Sequence, residues 1–324
     1  MSTVSWSQKL LSFTIATPAN TGTSTPPPGT GAFTGPPPQA SGGVAPGGSV
    51  NIAPGLRSSV RIFSAGAWVG CHAEIKIWGL TQALMNQLAT LGLAFNILPK
   101  NTITVMAGDV FGMTTVFQGT IYAAYGDYEK QPDVPMVFIA TSGGGAVVAP
   151  ASTTTFPLGT SIPSAMQTIA GKMNFNFENN GVSGTIDDEY VEGTLYDQAR
   201  TIAEHGRFSL GLIGTTLSIW PQGGSAASLT TVPQISPSTG MIGYPAFTQQ
   251  GIIVKTVFNP NVVFGGQISV QSSLQAQGLS ISGTYAVNKV DHALDSYVRN
   301  GQWMSTVFAY NPAFSRNVIP PVTG

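Results

Sequence analysis

Apolar and polar side chains alternate along most of this chain, the period-two pattern of strands with one buried face. Residues 72–78 are the clearest case. Ile75 and Ile77 fall on one side while Glu74, Lys76 and Trp78 fall on the other. Similar runs predict strands at 6–16, 58–64, 101–106, 114–124 and 134–141. One short helix interrupts them. Thr81 is placed to cap it, Leu84, Leu88 and Leu91 share a face, and Gly92 is the expected stop. Together these make a β-barrel-like domain.

Gly143-Gly144-Gly145 breaks this texture and reads as a flexible joint. Residues 163–173 then carry a helical stripe of Met166, Ile169, Ala170 and Met173, with Pro163 tolerated in the first turn. Asn179-Asn180-Gly181 predicts a hairpin turn. A second helix is expected over 195–205. Thr194 and Asp197 form an acidic capping box, Gly206 ends the helix, and Arg200 pairs with Glu204 on its outer side. Strands at 208–213 and 216–220 close this α+β unit as a hairpin.

Residues 221–240 resemble a linker. Beyond them, 243–273 read as strand, turn, strand. Ile252, Val254, Val257 and Phe258 carry the first strand and Asn259-Pro260-Asn261 the turn. Val262, Val263 and Phe264, then Ile268 and Val270, continue. Further strands are expected at 280–290 and 302–310, in an order that loosely echoes the first domain without a sequence repeat. The expected fold is mainly β with an α+β middle. Its division is 1–142, 143–222 and 223–324, with two β-barrel-like domains flanking the small one. Residues 18–50 hold Pro26-Pro27-Pro28 and Pro36-Pro37-Pro38 and read as a long exposed loop, a docking arm or a tolerated insertion alike. The tail from 311 to 324 reads as extended.

Composition narrows the function. Only 8% of residues are charged, against about a quarter in typical domains. Interface cores are depleted of charge because desolvating it is costly, so the composition favours a surface covered by other subunits. The net charge of −1 argues against static nucleic-acid binding. A single cysteine, Cys71, excludes an intrachain disulfide, and His72, His205 and His292 lack metal-ligand spacing. The charge-free spans 10–56 and 208–254 are broken by Pro and Gly, so neither predicts a membrane helix. The start, with one Lys before a short apolar run, reads as a first strand rather than a signal peptide, and use without export is expected.

No motif in the sequence carries a catalytic constellation. Asp187, Asp188 and Glu189, with Glu192 and Asp197 beyond, lack the spacing of a calcium loop. They read as a solvated approach to a helix, although a glycosidase-like carboxylate pair is the enzyme reading. Cys71 and His72 are strand neighbours and point to opposite faces, so they cannot share a proton. His292, between Asp291 and Asp295, is expected to be a surface histidine whose pKa the acids would raise. The triple glycine lacks the Lys-Ser/Thr of a phosphate loop, and the five tryptophans are scattered. No catalytic residue, cofactor site or metal site is expected.

Several motifs, in order, resemble one family. They are Phe177-Glu178-Asn179-Asn180-Gly181, Tyr196-Asp197-Gln198-Ala199 and Leu217-Ser218-Ile219-Trp220-Pro221. Thr239-Gly240-Met241-Ile242-Gly243-Tyr244-Pro245 follows, then Gly251-Ile252-Ile253-Val254, Val257-Phe258-Asn259-Pro260 and Gly265-Gly266. From about Ser58 to Tyr310 the chain resembles baseplate hub proteins of tailed bacteriophages, the Mu-like and T-even-like hubs; the 18–50 insert departs from a minimal hub. The resemblance implies a structural virion protein of the tail baseplate, assembled in the host cytoplasm. It implies a homotrimer in which two related tube domains per chain make a pseudo-six-fold ring. That ring would join a tail tube protein to a central spike protein, beside the tape measure and other baseplate proteins. DNA would pass through without specific binding, and no stable membrane association is implied. Ile252, Val254, Val257, Phe258, Val263, Ile268 and Val270 then become the candidate tube-wall or subunit-interface strand. A carbohydrate- or receptor-binding tail-tip or adhesin protein is the competing reading, and would show an exposed aromatic cleft.

Overall fold

The computed structural model describes residues 8–16, 48–65, 71–89, 101–144, 150–187, 189–213, 215–222, 224–226, 231–248, 251–273, 275–276 and 279–311. Strands β1 (Leu10–Ala16), β2 (Ser49–Ile52), β3 (Ser58–Ala65) and β4 (Cys71–Trp78) come first. Helix α1 (Gln82–Leu88) and strands β5 (Thr102–Asp109), β6 (Gly112–Gly126) and β7 (Pro135–Thr141) follow. The middle holds β8 (Thr154–Phe156), β9 (Thr160–Ser161), α2 (Ile162–Met173), β10 (Asn176–Asn179), β11 (Thr185–Ile186) and β12 (Glu189–Val191). It ends with α3 (Leu195–His205), β13 (Phe208–Ile213) and β14 (Thr216–Pro221). The last region holds β15 (Gln234–Ile235), β16 (Ala246–Thr248), β17 (Gly251–Val257), β18 (Gln267–Val270), β19 (Gln275–Ala276) and β20 (Leu279–Ser280). The long strands β21 (Gly283–Ser296) and β22 (Trp303–Tyr310) complete it.

The protein is mainly β, and its two β regions are one sheet. Thirteen strands connect, along the path β16-β17-β22-β21-β3-β4-β7-β6-β5-β1-β2, with β18 on β21 and β15 on β18. The junction is β21 against β3, antiparallel from Lys289 opposite Ala65 to Ser296 opposite Ser58. Each side of that junction has the same plan. A hairpin (β3-β4 or β16-β17) is followed by an excursion, then a second hairpin (β6-β7 or β21-β22) whose last strand pairs with the second strand of the first. The echo extends to a bulge. Tyr122 is the extra residue between Ile121 and Ala123 in β6, and Asn288 the extra residue between Val287 and Lys289 in β21.

Three clusters of buried side chains support these elements. The first is built by β1 and β3 to β7, with Met85 and Leu88 of α1 and Leu294 of β21. The third gathers Ile252, Val254, Ile268, Val270, Val290 and Val307. Both lie against the same face of the sheet, because Val290 and Leu294 are an even number of steps apart along one strand. The second cluster packs α2 and α3 on β13 and β14, with Met166, Ile169, Ala199 and Ile202 inside. Gln198 is also fully buried there, accepting from Thr154 Oγ1 at 2.7 Å and donating to Ser152 O at 2.9 Å. Gly265, at φ 78°, lies where a Cβ would come within 3.1 Å of the Trp220 ring, so the backbone passes closely under that tryptophan.

Local signals hold well. The Thr81 hydroxyl accepts from Leu84 N, and the Thr194–Asp197 capping box is complete. Ser161 caps α2, which ends at Asn174 in the left-handed region. Non-local pairings depart from expectation. Helix α1 stops at Ala89, before the expected glycine; Leu91 and Gly92 fall outside the described residues, as do Trp6, Gly145, Asp188, residues 17–47 and 312–324. Part of the low-complexity stretch is ordered as β2, and the 221–240 linker contains β15. Asn179-Asn180-Gly181 does turn, with Val182 N donating to Asn179 Oδ1 at 2.8 Å, but no hairpin forms: β10 pairs in parallel with β14. The ribbon at 243–273 is not a paired ribbon either. Strand β17 pairs with β16 and β22, and β18 with β15 and β21.

Candidate functional site

The residues that carried possible chemistry are dispersed and occupied locally. Glu189 hydrogen-bonds His205 Nδ1, the Asp197 carboxylate accepts from Thr194 N and Oγ1 in the capping box of α3, and Asp187 and Glu192 are exposed. Among the described residues no group of three His, Cys, Asp or Glu is placed to hold a metal. Cys71 Sγ lies 3.0 Å from Ser64 Oγ, and burial pushes its thiol up, which disfavours the nucleophilic thiolate. His292 corrects the expectation of a surface histidine. It is 6% exposed, its Nδ1 lies 2.7 Å from Ser305 Oγ, and its ring meets Phe258 edge-on at 5.4 Å. Burial lowers its pKa to about 4, where the sequence suggested a rise. The physical reason is alternation: Asp291 and Asp295 leave β21 on the opposite face from His292.

The extended feature is the sheet face turned away from the first and third clusters. One row across it runs Met304, Ala293, Arg61, Glu74, Ile139. The next runs Lys255, Thr306, Asp291, Phe63, His72. The charges on this face are interleaved. Lys76 Nζ is 2.6 Å from Glu74, Arg61 donates to Gln302 Oε1 at 2.6 Å, and Asp295 accepts from Ser59 Oγ at 2.6 Å. Lys289 sits over two rings, 4.6 Å from the centre of Phe63 and 4.5 Å from that of Phe308. Among the described residues of this face, basic and acidic groups are thus interleaved, with no basic stripe.

The candidate wall residues divide between inside and outside. Ile252, Val254, Ile268 and Val270 are buried in the chain's own third cluster. Phe258 is partly buried against the first cluster, Val263 is half-buried, and Val257 is exposed. Reasoning from sequence missed several exposed aromatics, at the sheet's β16 end and at the end of β6. In β16 every residue is exposed, Phe247 at 52%, and Tyr244 beside it is 69% exposed. At the end of β6, Tyr125 and nearby Tyr128 are each 48% exposed. The signal was an aromatic where the alternation predicts an outward position, which composition alone does not single out.

A family model described as Baseplate hub gp41 matches residues 44–307. No curated protein matches the chain in sequence. Solved structures share the fold at low identity. One is the 43 kDa tail protein of prophage MuSo2 from Shewanella oneidensis, at TM-score 0.57 and 8% identity, covering 81% of this chain and 94% of that one. Another is the E. coli c3393 protein, a type VI secretion system component described as similar to T4 bacteriophage tail proteins gp27 and gp5. It matches at TM-score 0.51 and 10% identity, over 79% of this chain and 74% of that one. A chain of the Francisella PdpA-VgrG complex matches at TM-score 0.56 and 8% identity, covering 98% of this chain and 60% of that one.

Proposed function

The chain belongs to the baseplate hub gp41 family, structural components of the phage tail baseplate, and from that premise we propose that it forms a trimeric ring joining the tail tube to the central spike. The tube-domain regions would be 1–142 and 223–324, with 143–222 as the small domain between them. Three chains would then set six four-strand units around one axis, matching a six-fold tube on one side and a three-fold spike on the other. The observation that carries this reading is the duplication: two units of one plan already stand edge to edge in each chain, joined at β21 and β3. A PdpA-VgrG complex among the fold neighbours supports a spike-type partner.

The interleaved face would line the channel. Its cations stand beside Glu74, Asp291 and Asp295 rather than in a stripe, so a passing duplex meets no run of phosphate-binding groups. Ile252, Val254, Ile268 and Val270 would stiffen the wall from within, and the strands themselves would do the joining. The work is structural, with no bond made or broken. Light scattering after size exclusion tests the trimer. A mass near three times 33.6 kDa is expected, and a strict monomer or dimer across the accessible concentrations contradicts it.

A further inference from the structure

The small α+β unit presents an unpaired strand edge beside a cleft. Its three-stranded sheet runs β10-β14-β13, so β10 is an edge strand. Asn176 N donates to Thr215 O and Asn180 N to Ile219 O, which turns the backbone groups of Asn176, Glu178 and Asn180 toward β14. Strand alternation then points the N–H and C=O of Phe177 and Asn179 outward. Among the described residues no strand pairs with that edge.

The chain enters β10 from a cleft of about 490 Å³ between the first β region and the small unit, a volume in the range of ligand sites. Gly119 and Thr120 of β6 form one wall, and Lys172, Met173 and Phe175, leading into β10, form the other. Both walls are fixed. Trp220 packs on Phe264 at 5.6 Å between ring centres and lies over Gly265, which ties the small unit to the second β region. Strand β21 on β3 ties that region to the first. The cleft is therefore preformed, which lowers the cost of filling it. Lys172 is the one charged residue in its described lining. Its Nζ donates to Thr154 Oγ1, and it forms no ion pair among the described residues.

We propose that this edge and cleft receive an extended segment of a different protein, which adds as a strand to β10 and sets an acidic side chain on Lys172. The edge offers two outward donors and two acceptors, so the cleft must supply the anchor. Apolar side chains of the segment pack on Met173 and Phe175. A cation with no counter-ion, in a lining that holds no acid, selects an acidic occupant. Backbone pairing supplies affinity and the cleft supplies selectivity. The site lies within one chain, so it goes beyond the trimer reading and does not depend on it.

The full chain is panned against random octapeptides with amidated C-termini, so that only side chains can bring a carboxylate. Peptides joining an apolar run to an Asp or Glu are expected, with binding read by fluorescence polarisation. Lys172→Glu is expected to weaken them about tenfold or more, from the loss of a charge-assisted contact. Phe177→Pro removes an outward N–H without touching the bonds to β14, and is expected to weaken them further than Phe177→Ala. Recovery of no peptide, or of peptides indifferent to both changes, overturns the site. Sensitivity to Lys172→Glu with none to Phe177→Pro overturns the strand addition. Should Phe177→Pro lose its circular dichroism, Lys172→Glu, on an exposed side chain, decides alone. A fall in solution mass in Lys172→Glu makes the occupant a second copy and overturns the different partner.

Discussion

The proton affinity of His292 follows from which side of β21 it leaves. Its folded-state pKa of about 4 lies below the unfolded value of 6.5. Above pH 6.5 both states are neutral there and the stability is whole. As pH falls from 6.5 toward 4, the unfolded chain takes up the proton first, so stability is lost across that window. At pH 5, one and a half units below the unfolded value and still above the folded one, the loss is about 2 kcal/mol at the usual 1.36 kcal/mol per unit. The urea midpoint is therefore expected to drop between pH 7 and pH 5, and His292→Gln to shrink that drop. An unchanged pH dependence in the variant would contradict the assignment. Sequence neighbours misled at this residue because a histidine flanked by acids looks charged only if all three share a face. The capping residues Thr194 and Asp197 were legible for the converse reason: their partners lie within one turn.

At the scale of elements, strands were readable and their partners were not. The alternation through Ile252, Val254 and Thr256 locates β17. Nothing in it says that the partner is β22, about fifty residues on, rather than β18 just beyond the turn. The Asn-Asn-Gly turn shows the same limit, since a turn signal fixes a bend and not the neighbour of the strand before it. Pairing is also what assembles the interleaved face, because Arg61, Glu74 and Ala293 meet only through registers between distant strands. Wild-type chain is accordingly expected not to retain duplex DNA on a filter at about 0.15 M salt. The double variant Glu74→Lys with Asp291→Lys is expected to retain it, and to release it as salt rises. Retention by the wild type would argue against a channel that lets DNA pass freely.

At the scale of the whole molecule, the sequence showed only a loose echo between its two β regions. The structure resolves that echo into one connectivity used twice, down to a bulge at the same step. Such a duplication is invisible in sequence because a strand position specifies little beyond apolar or polar, and many residues meet either demand. The seven candidate wall residues illustrate the point. They come from one ribbon and are mostly buried, while the exposed aromatics include Phe247 inside that ribbon and Tyr125 far outside it. Electron microscopy of the purified assembly, viewed end-on, tests the central claim most directly. The ring predicts a central opening surrounded by six similar lobes, with three-fold averages showing two alternating kinds. A particle with a filled centre, or with two-fold symmetry, would contradict it.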